Sequence, residues 1–217
     1  MGLKILIIGS GGREHALAWI ISRSKRDIEK IYVMPGNAGT LTEKNVFNIE
    51  CDISNHQSIL DFAISNKIDL TIVGPEDPLV NGLADLFEEN NLNIFGPKKY
   101  FAQLEGSKVF AKNFMNTNKL PTANYREFNE INKAADYLEN KKMPIVIKYD
   151  GLAAGKGVDI CETLEDAKFS IKKLLKPGEK IIIEDFIKGI ELSAIYICNP
   201  NASKKTIGLP WIKDYKS

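Results

Sequence analysis

The run Ile145-Val146-Ile147-Lys148 puts a lysine at the end of an apolar strand, and a loop of small residues follows it: Tyr149-Asp150-Gly151-Leu152-Ala153-Ala154-Gly155-Lys156-Gly157-Val158. A charge in that position needs an anionic partner, and nucleotide phosphates supply one. The loop suits a flexible lid over those phosphates. It is not a Walker A loop, because only three residues separate Gly151 from Gly155 and Gly157 stands where Ser or Thr would hold magnesium. A plain glycine hairpin would need neither the two lysines nor Asp150. Downstream, Ile181-Ile182-Ile183-Glu184-Asp185-Phe186-Ile187 leads through Lys188-Gly189-Ile190 to Glu191. An apolar strand running into carboxylates suits a nucleoside. Backbone groups of the connecting segment would read adenine, with Glu184 near its amino group and Glu191 accepting from ribose hydroxyls. Taken alone, the segment reads equally well as an ordinary edge strand.

A second constellation opens the chain. Gly9-Ser10-Gly11-Gly12-Arg13-Glu14 follows an apolar strand and begins a helix, where backbone N–H groups and the helix dipole bind phosphate. A dinucleotide fingerprint wants Gly or Ala where Glu14 stands, and Val33-Met34-Pro35 ends the second strand without a ribose-binding acid. Arg13 suits a single phosphate monoester better, since its planar fork grips two oxygens. A tight turn with a surface arginine is the alternative. Two further loops sit at expected strand ends: Pro35-Gly36-Asn37-Ala38-Gly39-Thr40 and Gly74-Pro75-Glu76-Asp77-Pro78-Leu79. Asn37 and Thr40 offer neutral hydrogen bonds and Glu76 a carboxylate, so three loops could converge on one phosphosugar. Singly each is more often a turn. His15 reads as a packed or capping histidine that could also meet a ligand, and His56 as a helix start.

These residues need a scaffold, and the hydrophobic pattern describes it. Strands are expected at 3–8, 30–34, 70–73 and 93–95, with helices at 13–22, 58–66 and 79–89, the alternation of a doubly wound parallel sheet. A helix at 107–116 follows, ended by Leu120-Pro121. Strands at 125–128, 144–149, 158–161 and 180–185 with helices at 131–140 and 164–175 make a compact α+β unit. Segments 192–198 and 205–209, joined by Asn199-Pro200-Asn201, read as an antiparallel hairpin with open edges. The expected domains are residues 1–102, 103–190 and 191–217. Lys plus Arg number 29 against 28 Asp plus Glu, which gives no electrostatic case for nucleic acid or a membrane. Three cysteines without ligand spacing and two histidines argue against zinc. The glycine-rich start after a short apolar run is no signal peptide, so a cytoplasmic protein is expected.

Together the segments G-G-R-E-H-A, P-G-N-A-G-T, G-P-E-x-P-L, Q-L-E-G-S-K and I-K-x-D-G-L-A-A-G-K-G-V resemble the phosphoribosylamine–glycine ligase family of the ATP-grasp superfamily, in order across residues 1–198. The resemblance implies an α/β N-terminal domain, an ATP-grasp lid subdomain and the first strands of an incomplete second sheet. It implies that Lys108 and Lys148 contact ATP phosphates, that residues 150–157 form the lid loop, that residues 184–187 frame adenine, and that Glu191 holds ribose. Residues 9–14, 35–40 and 74–76 would shape the phosphoribosylamine side. The family reaction phosphorylates glycine with ATP, and the amine of 5-phosphoribosylamine then attacks the acyl phosphate. Magnesium or manganese is implied, with its protein ligands, and the catalytic residues, expected beyond Ser217. On this reading the chain is an N-terminal piece, inactive by itself, whose partners are ATP, glycine, phosphoribosylamine and a completing polypeptide. A non-catalytic module binding ATP or a phosphosugar is the rival. An NAD-dependent oxidoreductase rests on the first glycine loop alone.

Overall fold

The computed structural model describes residues 2–153, 156–199 and 201–213. The first unit runs β1 (Leu3–Gly9), α1 (Gly12–Ser22), β2 (Ile28–Pro35), β3 (Val46–Asn48), α2 (His56–Asn66), β4 (Leu70–Val73), α3 (Glu76–Val80), α4 (Leu83–Glu89) and β5 (Ile94–Phe95). All five strands are parallel, in the order β3-β2-β1-β4-β5. β1 lies at the centre and its side chains alternate between two cores. Ile5 and Ile7 pack with Ala18 of α1 and with Ile31 and Val33, while Leu6 and Ile8 pack with Ile59, Leu83 and Phe87 of α2 and α4. A strand apolar on both faces needs layers on both, which is the doubly wound arrangement expected. Because β2 and β4 flank β1 on opposite sides, the loops leaving these three strands meet at one edge of the sheet, the usual place for a ligand.

Three local features differ from the sequence pattern. β3 was not expected; it is three residues long and only Val46 is buried, too little apolar signal to register. The helix expected at 79–89 is two helices, α3 and α4, separated at Gly82, whose φ of 96° is a left-handed conformation that breaks the helix. An additional helix, α5 (Lys99–Gly106), precedes α6 (Lys108–Thr117); it buries only Ala102 and exposes Tyr100 and Phe101. α5 packs against α3, and Ala102 belongs to the first unit's core.

The second unit is β6 (Tyr125–Phe128), α7 (Ile131–Leu138), β7 (Ile145–Tyr149), β8 (Val158–Cys161), α8 (Leu164–Leu174) and β9 (Ile181–Asp185). Its four strands are antiparallel in the order β6-β9-β7-β8. Ile145, Ile147, Cys161, Ile181 and Ile183 face α7 and α8 and form the second core. The register pairs Val146 with Glu184 and Ile160, and Lys148 with Ile182 and Val158, so these side chains share the opposite face of the sheet.

The chain continues through β10 (Leu192–Ser193), β11 (Tyr196–Cys198), β12 (Thr206–Gly208) and β13 (Ile212–Lys213). β11 pairs with β12 as the expected hairpin, but the two long strands are interrupted: β10 pairs with β13 in a register shifted by one residue from Tyr196↔Gly208 to Ser193↔Ile212. The interruption contains Pro210, which has no N–H to continue the ladder. Among the described residues no helix is long and apolar enough to cross a membrane.

Candidate functional site

The loop after β1 is held from three sides. Glu14, third residue of α1 and 4% exposed, accepts a hydrogen bond from the Gly11 N–H at 2.7 Å. A carboxylate in the first turn of a helix also sits favourably in the helix dipole. Its carboxyl group is boxed in by glycines: a Cβ on Gly9 or Gly74 would stand 2.6 or 2.5 Å from Glu14 Cδ. Glu14 therefore occupies the space where a dinucleotide loop keeps a small residue for helix–strand packing, and it shapes the loop from beneath. Its Oε1 has no hydrogen-bond partner among the described residues and lies against Gly74.

Asn37 and Thr40 also turn inward. The Asn37 amide donates to the carbonyls of Ser10 and Gly11 at 2.9 and 3.3 Å, and its Oδ1 accepts from Thr40 N at 3.0 Å. Thr40, fully buried, donates from Oγ1 to Asn37 O at 2.7 Å and lies 2.6 Å from Asn48 Oδ1; Asn48 Nδ2 donates to Asn37 O at 2.8 Å. Asn48, on the unexpected strand β3, is thus a keystone that sequence reading missed. By drawing the Ser10 and Gly11 carbonyls toward Asn37, the network leaves the exposed side of Gly12 open, with nothing within 4 Å of its Cβ position. His15 Nε2 donates to Glu43 Oε1 at 3.1 Å and the ring packs on Gly39, a packed histidine of the kind the sequence suggests. Hydrogen bonds from Arg23 and then His15 hold the Glu43 carboxyl below its ordinary value.

Arg13 and Glu76 approach within 3.8 Å and, with Gly74, Leu79, Pro97, Ala102 and Glu105, line an open cleft of about 390 Å³. Pro75 is the residue before α3 and Glu76 its first. Glu76 and Glu105 also line a second space of about 140 Å³ bounded by Lys108, Gly151, Leu152, Ala153, Gly157 and Val158. The strand-end loops and the lid loop therefore face each other across Glu76 and Glu105, and Glu105 is a second residue that sequence reading did not single out.

On the lid side, the carboxylate of Asp150 accepts from Ser107 Oγ and Val109 N at 2.9 and 3.1 Å, so it caps α6 and is not directed at the loop. Lys108, first residue of α6, donates to Gly151 O at 2.9 Å. Gly151, at φ 153°, packs against the Tyr149 ring, and a Cβ on Gly157 would strike Ala153. Burial, then a hydrogen bond with Glu179, pushes the Tyr149 hydroxyl above its ordinary value. Lys156 is exposed; Gly155 lies outside the described residues.

The anionic partner that Lys148 needs is present in the chain. Lys148 Nζ lies 3.1 Å from both oxygens of Glu184 and donates to Oε2, which also meets Lys112 Nζ at 3.0 Å. Glu184 Oε1 is buried and makes no aligned hydrogen bond among the described residues, although Lys148 Nζ lies 3.1 Å from it. Lys112, 6% exposed, was absent from the expected site. Lys148 and Glu184 thus lie in one place, a pairing that the sequence did not reveal. Asp185 points the other way: hydrogen bonds from Asn124 at 2.9 Å and Lys141 at 3.2 Å hold its carboxyl below the usual range, so only its backbone could frame a base. Phe186 and Ile187 are exposed at the strand exit, and Glu191 is exposed just before β10.

A parallel α/β unit whose strand-end loops face a four-stranded antiparallel lid, with lysines at the end of a lid strand and at the start of the preceding helix, defines a protein of the ATP-grasp class. The chain belongs to the phosphoribosylglycinamide synthetase family: the model of that family's N domain matches residues 3–105 and the model of its ATP-grasp (A) domain matches residues 106–217. It is similar to the phosphoribosylamine–glycine ligase of Pseudomonas putida, 50% identical over 199 residues that make up 89% of this chain and 46% of that protein. The crystal structure of phosphoribosylamine–glycine ligase from Thermotoga maritima matches with a TM-score of 0.77 at 29% identity, over 99% of this chain and 51% of that one. An ADP complex of N5-carboxyaminoimidazole synthetase from Staphylococcus aureus shares the fold, with a TM-score of 0.77 at 17% identity over 100% of this chain and 56% of that one. The chain spans about half the length of the curated relatives it matches.

Proposed function

We propose that these 217 residues supply the phosphoribosylamine and ATP sites of a ligase that joins glycine to 5-phosphoribosylamine, forming glycinamide ribonucleotide for purine synthesis. The observation that carries the nucleotide half is the lid face bearing Lys148, Lys112 and Glu184. It offers a positive charge for a phosphate and, in the buried Glu184 Oε1, an acceptor with no aligned hydrogen bond, whose near neighbour Lys148 is the group a phosphate would draw away. The exocyclic amine of adenine would complete that acceptor. Since Lys148 touches the same carboxylate, it would reach the phosphate nearest the nucleoside, and Lys108 beneath the lid loop would meet the distal phosphates. Transfer of the γ-phosphoryl group to the glycine carboxylate makes an acyl phosphate. The amine of phosphoribosylamine attacks its carbonyl carbon and inorganic phosphate leaves, so positioning and charge neutralisation carry the catalysis. Among the described residues no group of three or more His, Cys, Asp or Glu is placed to hold a metal ion.

In an assay with ATP and magnesium, ADP is expected only when glycine and phosphoribosylamine are both added, and only when the chain is supplemented with the second half of a relative such as the Pseudomonas putida enzyme. ADP release that ignores either substrate would favour the second reading, a module that binds ATP or a phosphosugar without ligation. Robust turnover by the 217 residues alone would overturn the assignment of the magnesium ligands to the other half.

The phosphosugar half rests on Arg13 beside the open Gly12 and the N-terminus of α1. Arg13→Ala is expected to weaken ribose 5-phosphate binding about tenfold or more, the worth of one charge-assisted contact, while ADP binding stays as it was. Equal affinity for ribose 5-phosphate in calorimetry would return Arg13 to a surface pairing with Glu76.

A further inference from the structure

We propose that Lys112, which touches no expected ligand, is a positioning residue that keeps Lys148 available to nucleotide phosphate; the proposal rests on the reading of Lys148 given above. The structure assigns two ammonium groups to one carboxylate, and they are not equivalent. Lys112 and Glu184 have side chains 8% and 5% exposed, whereas that of Lys148 is 28% exposed. Lys112 is fixed by several partners: it donates to Thr122 Oγ1 at 2.7 Å and to Ala123 O at 3.4 Å, meets Glu184 at 3.0 Å, and lies 5.4 Å from the centre of the Tyr125 ring. Lys148 has Glu184 as its only polar side-chain partner among the described residues. Lys112 is therefore the permanent counter-ion of the carboxylate and Lys148 the exchangeable one.

The consequence follows from charge balance. With Lys112 in place, Lys148 can turn to a phosphate and leave behind a neutral buried pair. Without Lys112, Glu184 has Lys148 as its one counter-ion, and drawing that lysine away strands a buried carboxylate, which is strongly unfavourable. Lys112 thus acts on nucleotide affinity through Glu184, from a position the nucleotide need not contact. It lies on α6, in a different element from every lid-strand residue that it serves. α6 also carries Lys108, so the same helix supplies one phosphate ligand directly and another indirectly.

The test is a double-mutant cycle read by calorimetric titration with ADP. Lys112→Met is expected to weaken ADP binding about tenfold or more, and Lys112→Arg, which keeps the charge, to hold it within about threefold of the parent. Once the carboxylate is removed, Lys112 has nothing to act through. Glu184→Gln and the double variant Lys112→Met/Glu184→Gln are then expected to bind ADP alike, within about twofold. That comparison does not need Lys112→Met alone to fold, because the double variant removes the buried ammonium and the buried carboxylate together, and in Glu184→Gln the Lys112 ammonium keeps Thr122 Oγ1 and Ala123 O as acceptors. Unchanged affinity in a folded Lys112→Met chain, or a further loss when Lys112→Met is added to Glu184→Gln, would overturn the proposal. Failure of Lys148→Ala to affect ADP would instead remove the nucleotide reading on which it rests.

Discussion

Lys148→Ala weakens ADP binding about 10- to 150-fold while the unfolding midpoint moves by only a few degrees. The first number is the worth of a hydrogen bond to a charged group, about 1.5 to 3 kcal/mol, converted at about 1.4 kcal/mol per tenfold. The second follows from the partner left behind. Glu184 is buried, and losing its sole counter-ion would be costly, but Lys112 remains 3.0 Å away and keeps the pair neutral. The interaction that is lost involves a side chain 28% exposed, so solvent screening lowers its contribution to stability. Titration calorimetry and thermal unfolding on the same variant separate the two effects. A folded variant with the parent's ADP affinity would show that Lys148 serves Glu184 alone, and a large fall in the unfolding midpoint would show that Lys112 does not carry the carboxylate.

Much of the architecture was legible because it is written locally. The alternation of Ile5, Leu6, Ile7 and Ile8 between two cores is a property of one strand, and the strand-end position of three glycine-rich loops follows from it. The lid strands were equally clear, from 125–128 to 181–185. What escaped depends on register or on short elements. Val146 pairs with Glu184 across β7 and β9, which brings a carboxylate 36 positions downstream against Lys148. No local pattern encodes that pairing, so the need of Lys148 for an anion was met on paper by phosphate alone. Lys112 stands 72 positions before Glu184, and among the polar residues of α6 nothing in its spacing marks it as the buried one. Asn48 escaped with β3, whose three residues carry one buried side chain. Asp150 and Asp185 illustrate the converse. Their place beside a loop or a strand end was read correctly, while their side chains serve a helix cap and a pair with Asn124 and Lys141.

The packing of Glu14 among glycines leads to the second large effect. Gly74→Ala is expected to destabilise the chain by about 1 to 3 kcal/mol, the usual range for an overpacked core site, which lowers the midpoint by about 2 to 12 °C for a chain of this size. The added methyl would fall on the Glu14 carboxylate, 2.5 Å from its Cδ. A flexible side chain at the surface would step aside at little cost, but this one is 4% exposed and its Oε2 is fixed to Gly11 N at 2.7 Å. Moving the carboxylate also frees the Gly11 N–H and with it the shape of the loop beside Arg13. Ribose 5-phosphate affinity should therefore fall in the same variant. Shortening the obstructing residue tests the cause. In Glu14→Ala/Gly74→Ala the two methyls replace one carboxyethyl group, so the pair should be more stable than the sum of the single changes predicts, by about 0.5 to 3 kcal/mol. Stability should recover further than sugar-phosphate affinity, because the double variant restores the packing but leaves Gly11 N without its acceptor. Strict additivity of the two substitutions in thermal unfolding would mean that Gly74 is constrained by something other than Glu14.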